Sequence, residues 1–207
     1  MKVLLVDDHP AVRMAIGMIL TRAGHEIIGE CENGAEAVSR TLELNPDVVV
    51  LDLDLPLLDG LIVVNRLRTC ATPARILVYT AMKSVAYAAQ CMRAGAAAFL
   101  SKAGDPQEVA IALQAIGSGK SYFPINTIDS VRHSDFADND AQLLRRLSSR
   151  ELKVLHGLAL GKSNMLIARE MLLSNKTVST YKTRIMQKIN AGNLLQLINF
   201  AQRNDLV

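Results

Sequence analysis

The chain has 207 residues and a formal net charge of +3, a length that allows one large domain or two small ones. Half of the residues are apolar and 21% are charged, which excludes a disordered chain, and no apolar run nears the ~18–20 residues of a membrane helix. The N-terminal MKVLLVDD turns acidic too early for a signal peptide, and Cys31, Cys70 and Cys91 lack metal-ligand spacing, so a cytoplasmic protein with reduced thiols is expected.

Short apolar runs alternate with helical patterns from Lys2 to about Ser118. Lys2–Val6, Glu26–Gly29, Asp47–Leu51, Arg75–Tyr79 and Ala97–Leu100 read as strands. Their continuously apolar centres suit parallel strands covered on both faces. Between them, Ala11, Val12, Ala15, Ile16, Ile19 and Leu20 repeat at helical spacing up to Gly24, and Val85, Ala88, Ala89 and Met92 do so up to Gly95. Each Gly stands where a helix end favours positive φ. Five such βα units predict an α/β domain over residues 1–120, a doubly wound (βα)5 parallel sheet.

The periodicity fails over 121–143, rich in Pro, Asn, Ser and Asp, which reads as a linker. Residues 144–207 then read as an all-α domain of four helices. Ser148 and Glu151 form a capping-box pattern for a helix to about Leu160. Ser163 precedes a short helix over 164–172 and Ser174 a longer one over 175–189. An amphipathic stretch from Leu194 to about Gln202 ends the chain. Charge divides in the same way: residues 1–128 carry a net −2 and residues 129–207 a net +5, with no acid from Met171 to Asn204.

In an open parallel sheet, ligands bind outside the C-terminal strand ends. Strand one ends there in Asp7 and Asp8, strand three in Asp52 with Asp54 beyond it, strand four in Thr80 and strand five in Lys102. A lone Asp at a strand end is more often a loop cap, and a lone Lys is usually solvated; the signal is all of them at one edge. Crowded carboxylates need a cation, and Mg²⁺ takes oxygen ligands of this kind. A carboxylate can also attack phosphorus to give an aspartyl phosphate, whose oxygens need positive charge and donors around them. This assigns Asp52 as phosphoacceptor, Asp7 and Asp8 to Mg²⁺, and Lys102 and Thr80 to the phosphoryl oxygens.

VDDHP at 6–10, LDLDLPLLDG at 51–60, TA at 80–81 and SKAG at 101–104 resemble the receiver domain of two-component response regulators. The resemblance implies phosphotransfer from a sensor histidine kinase, Asp52 and the backbone carbonyl of Asp54 among the Mg²⁺ ligands, and a switch in which Thr80 moves and Phe99 turns inward. Phe99 stands where many receivers have Tyr, and Ala103 where most have Pro.

Drawn as a helix, 174–189 places Val178, Tyr181, Ile185 and Ile189 on one face to pack inward. Its other faces are basic and rich in hydroxyls. With the short helix before it, this is helix-turn-helix spacing, and such a second helix fits the major groove. LSSREL at 147–152 and the wording of 158–190 resemble the LuxR-type DNA-binding domain, and both domains together the NarL/FixJ family, with SNKTVSTYKTR most similar to the BvgA/EvgA branch. The resemblance places Ser179, Thr180 and Thr183 toward bases, and Asn164, Lys176, Thr177, Tyr181, Lys182 and Lys188 on phosphates. It implies double-stranded promoter DNA as partner, RNA polymerase as a candidate partner, and a homodimer through the last helix at Asn193, Leu194 and Leu197. Tyr181 replaces the family's usual His.

GKS at 119–121 and 161–163 lacks the upstream Gly of a phosphate-binding loop. Asp52-Leu53-Asp54 also fits the paired Asp of haloacid-dehalogenase-type phosphatases, but their acidic metal pair comes late in the chain, and that reading leaves the basic helices unexplained. A receiver joined to a protein-binding output domain is the other alternative. The DNA-binding reading predicts a transcription regulator and not an enzyme.

Overall fold

In the computed structural model the five apolar runs pair as one parallel sheet in the order β2-β1-β3-β4-β5. The strands are β1 (Lys2–Val6), β2 (Glu26–Cys31), β3 (Val48–Leu51), β4 (Arg75–Thr80) and β5 (Ala98–Ser101). All four residues of β3 are buried, as is every residue of β1 and β4 after the first. Such continuous burial belongs to strands covered on both faces. The structure describes residues 1–82, 85–123, 140, 143–144, 146–204 and 206–207, without the side chains of 85, 86 and 149.

The covering helices are α1 (Pro10–Arg22), α2 (Gly34–Leu44), α3 (Gly60–Thr69), α4 (Val85–Ala94) and α5 (Glu108–Gly117). α1 packs beside α5, and α2 beside α3. Ile16 and Leu20 of α1 and Leu113 of α5 close over Leu5, Val50 and Leu77 of the sheet. Gly24 and Gly95 take the positive φ expected where helices end (84° and 101°). α2 and α3 start on side-chain caps, Asn33 accepting from the Glu36 N–H and Asp59 from the Leu61 N–H. β2 runs two residues past the expected Gly29, because Cys31 pairs in register with Val6.

Strand order reverses between β1 and β3, so the crevice at their C-terminal ends is the switch point of the sheet. Val6 pairs with Leu51, which brings the next residues, Asp7 and Asp52, to the same edge.

Most of the linker assigned to 121–143 lies outside the described residues. Its first part is not free of the sheet: Tyr122 forms a parallel bridge to Ala98, its N–H donating to the Ala97 carbonyl and its carbonyl accepting from the Phe99 N–H. Near its end, Leu143 is buried, and Asp140 accepts from Arg203 at 2.8 Å.

The second unit holds α6 (Ser149–Ala159), α7 (Asn164–Glu170), α8 (Asn175–Lys188) and α9 (Leu194–Arg203). α8 packs on α6 and α7, and α9 on α6. Both arms of the Ser148/Glu151 capping box form. Ser163 and Ser174 cap α7 and α8, and Asn193 caps α9. α7 ends two residues before the expected Leu172, which takes φ +53° in the turn to α8. Gly119 and Gly161, the glycines of the two GKS runs, both sit just past helix ends at φ near +75°, and Ser163 of the second run is the cap of α7; helix punctuation accounts for both runs. No described helix is long and apolar enough to cross a membrane.

Candidate functional site

Asp7 and Asp52 are buried at the switch point, their side chains 8% and 3% exposed, with the more exposed Asp8 beside them. The Asp52 N–H donates to the Val6 carbonyl and the Asp7 N–H to the Cys31 carbonyl, so neighbouring strands fix both backbones. Lys102, placed by the end of β5, reaches Asp7 Oδ2 at 2.6 Å and Asp52 Oδ2 at 2.7 Å. Burial alone would lower the Lys102 pKa, but the two carboxylates hold the ammonium above its usual value. Asp54 is exposed, and its N–H donates to Asp52 Oδ1 at 3.2 Å.

The donor set fits a hard divalent cation. Ligand atoms of Asp7, Asp8, Asp52 and His9 all lie within 4.8 Å of one another, and three of the four residues offer carboxylate oxygens. His9 is the member of this set to which strand-end spacing does not point. It follows the Asp pair directly, and its Nδ1 lies 2.7 Å from Asp8 Oδ1 and 3.3 Å from Asp7 Oδ1. A titratable ring next to two acids was the available signal. Arg13 is another such residue, although a charged residue inside the apolar stripe of α1 is a visible signal. Its side chain is 9% exposed and bonds to Asp7, Glu30 and Glu32.

Thr80 is fully buried at the end of β4, and its Oγ1 accepts from the Met82 N–H at 3.4 Å. Lys102 is tied to it through the backbone, its N–H donating to the Thr80 carbonyl at 2.7 Å. Phe99 is among the largest fully buried side chains; its ring is inward already. The peptide after Lys102 is trans, since the described chain has no cis bond. Cys31 and Cys91 are buried, Cys70 is exposed, and none is bridged; burial pushes the Cys31 thiol up to about 12.

In the helical unit, Val178, Ile185 and Ile189 face inward as expected, while Tyr181 is only partly buried. Lys176, Ser179, Thr180, Thr183 and Arg184 are exposed, and Asn164, Thr177 and Lys182 partly so. Asn164 Nδ2 donates to Ser179 Oγ at 3.2 Å, which joins the two helices of the motif on one surface. The Thr180 and Thr183 hydroxyls donate to the carbonyls of Lys176 and Ser179, four residues back.

Two assignments need correction. Lys188 Nζ is engaged by Glu151 Oε2 at 2.7 Å and by the Arg146 carbonyl at 3.0 Å. Its charge is met by a buried carboxylate, so Lys188 is a strut between α8 and α6 and not a free phosphate contact. Leu197 is fully buried inside the unit with Phe200 and Ala201; the spacing of 197, 200 and 201 turns them all to the core, away from any second copy. Leu194 and Leu195 are the exposed apolar residues of α9 (39% and 65%). Asn193 is exposed, but its side chain serves the helix cap.

Comparison with known proteins agrees with both halves of this geometry. Residues 3–114 match the response regulator receiver domain, and residues 145–201 match the luxR family of bacterial regulatory proteins. The chain is 46% identical over 205 residues to the transcription regulator of virulence factors BvgA of Bordetella pertussis, covering 99% of this chain and 98% of the relative. It is 36% identical over 206 residues to the DNA-binding transcriptional activator EvgA of Escherichia coli K12, covering the whole of both. Among solved structures, RcsB of Salmonella enterica serovar Typhimurium, bound to a promoter in the presence of the phosphomimetic BeF3−, superposes with a TM-score of 0.68 at 25% identity over 98% of each chain. The chain therefore belongs to the two-component response regulators of the NarL/FixJ type, transcription regulators that join a receiver to a LuxR-type DNA-binding domain, and not to the phosphatases that use similar carboxylates.

Proposed function

We propose that the chain takes a phosphoryl group from a sensor histidine kinase onto Asp52, and that this modification switches binding of its helix-turn-helix to double-stranded promoter DNA. The observation that carries the reading is the position of Lys102, within 2.7 Å of both Asp7 and Asp52 at the switch point. One cation already spans the acids there, at the place where phosphoryl oxygens would arrive.

Asp7, Asp8 and Asp52, with the Asp54 carbonyl, would hold Mg²⁺, which supplies charge neutralisation for the incoming phosphoryl group. The rest falls to the chain itself. Asp52 Oδ2 stays under Lys102, while Oδ1 takes the longer bond from Asp54 and is the freer oxygen to attack phosphorus. The new O–P bond replaces the P–N bond of the phosphohistidine, and the leaving imidazole takes a proton from water. Lys102 then follows the phosphoryl oxygens, and the Thr80 hydroxyl donates to one of them. The added charge, roughly −1.5 to −2, biases the ends of β4 and β5 between two arrangements.

On the DNA side, Ser179, Thr180 and Thr183 would face bases, with Asn164, Lys176, Thr177, Tyr181 and Lys182 on phosphates. Because Thr180 and Thr183 spend their hydroxyl protons on backbone carbonyls, they offer bases an acceptor oxygen and a methyl group. That combination suits the amino groups of adenine or cytosine and the thymine methyl. The exposed Leu194 and Leu195 support a dimer through α9, and two half-sites held together gain affinity by effective concentration.

The test is phosphate incorporation from acetyl phosphate with Mg²⁺. Wild type should take up one phosphoryl group per chain and Asp52→Asn none. Equal incorporation in the variant, or fast multiple turnover of a phosphomonoester by wild type, would overturn the reading.

A further inference from the structure

We propose that Arg13 is a positioning residue for cation binding, which clamps the peptide carrying Asp7 and Asp8. Its guanidinium lies behind the acidic pocket and uses all three of its nitrogens. Nη1 donates to the Asp7 carbonyl at 2.6 Å, Nε to Glu30 at 2.8 Å and Nη2 to Glu32 at 2.9 Å. Glu30 and Glu32 flank Cys31, whose carbonyl accepts from the Asp7 N–H. Asp7 is thus held at its N–H by Cys31 and at its carbonyl by Arg13, which the two Glu residues beside Cys31 anchor. The Asp7 carboxylate is fixed in turn by the His9 N–H, donating to Oδ1 at 3.0 Å.

This frame answers a physical problem. Asp7, Asp8 and Asp52 repel one another, and a loop free to move would relieve the repulsion by swinging Asp8 outward. A planar fork reaching three acceptors resists that motion, whereas an ammonium cannot fill the same geometry. Position and charge act in opposite directions. Removing Arg13 leaves Glu30 and Glu32 unpaired and makes the region more negative, which by charge alone tightens cation binding. Loss of the clamp weakens it. The sign of the change separates the two effects.

The inference rests on Asp7 and Asp8 being cation ligands. The experiment is calorimetric titration of the full-length chain with Mg²⁺ alone, for wild type, Arg13→Ala, Arg13→Lys and Asp8→Asn, with circular dichroism confirming that each is folded. Residues behind metal ligands typically account for ~10–100-fold in affinity. Arg13→Ala should bind Mg²⁺ about tenfold more weakly and Arg13→Lys, which keeps the charge, several-fold more weakly. If Arg13→Ala does not fold, Arg13→Lys decides alone. Wild-type or tighter Mg²⁺ binding in the Arg13 variants while Asp8→Asn loses affinity would overturn the clamp. Unchanged affinity in Asp8→Asn would overturn the ligand reading itself, and the clamp with it.

Discussion

Lys188→Met separates a strut from a DNA contact. Glu151 is 4% exposed at its side chain and Lys188 37%. Burial alone would push the Glu151 carboxyl up, but hydrogen bonds from Lys188 and Ser148 hold it below its usual value. Breaking a buried pair costs about 3–5 kcal/mol, and an exposed pair contributes at most about 1 kcal/mol. The half-open ammonium and the surviving Ser148 bonds to Glu151 place the loss between these limits, at about 2 kcal/mol. For a domain of this size that is a drop of about 10 °C in the unfolding temperature of the helical unit. Calorimetry of the full-length chain at pH 7 reads it. The sign with pH follows from the depressed carboxyl: its contribution is present above the unfolded value near 4.5 and fades as pH falls through the lower folded value. The gap between wild type and variant should therefore close on acidification below pH about 4.5. The salt dependence of DNA binding should keep its slope. An unchanged unfolding temperature, together with a slope reduced by about 0.9, the signature of one lost phosphate contact, would refute the strut.

Lys182→Ala should weaken binding to specific and random DNA alike and reduce the salt slope by about 0.9. Thr183→Ala should instead change preference at one base position, by about 1–3 kcal/mol, as read by competition between operator variants. Gly34→Ala should destabilise the receiver by about 1–3 kcal/mol in thermal unfolding, since the added Cβ would run into the Leu58 carbonyl oxygen, a backbone atom that cannot step aside. Unchanged stability would mean that the loop after Asp52 yields freely.

Most of the receiver was legible because parallel strands covered on both faces write continuous apolar runs, and because the functional side chains stand at the ends of those runs. α2 and α3 left fainter signals. α3 contains Leu61, Ile62, Val63 and Val64 in succession, an apolar run whose last three residues are β-branched and which reads as strand until one side of it is buried. Pairings across long separations left none: Lys188 is 37 residues from Glu151, and Arg13 is 17 and 19 residues from its two Glu partners. Family resemblance put Lys188 on phosphate and Leu197 at a dimer face. Packing decided otherwise, because one had a buried carboxylate within reach and the other shares the inward face of α9 with Phe200. The bridge from Tyr122 to Ala98 shows the same limit, since one residue of sheet at the edge of a polar stretch carries no periodicity.

Modification of Asp52 is proposed to change DNA binding by residues in the other domain. Footprinting of promoter fragments, with and without acetyl phosphate and Mg²⁺, tests it most directly on wild type and Asp52→Asn. Wild type should protect the same sites at lower protein concentration once acetyl phosphate is present, and Asp52→Asn should show no such shift. An equal shift in the variant, or none in a wild type that is demonstrably phosphorylated, would contradict it.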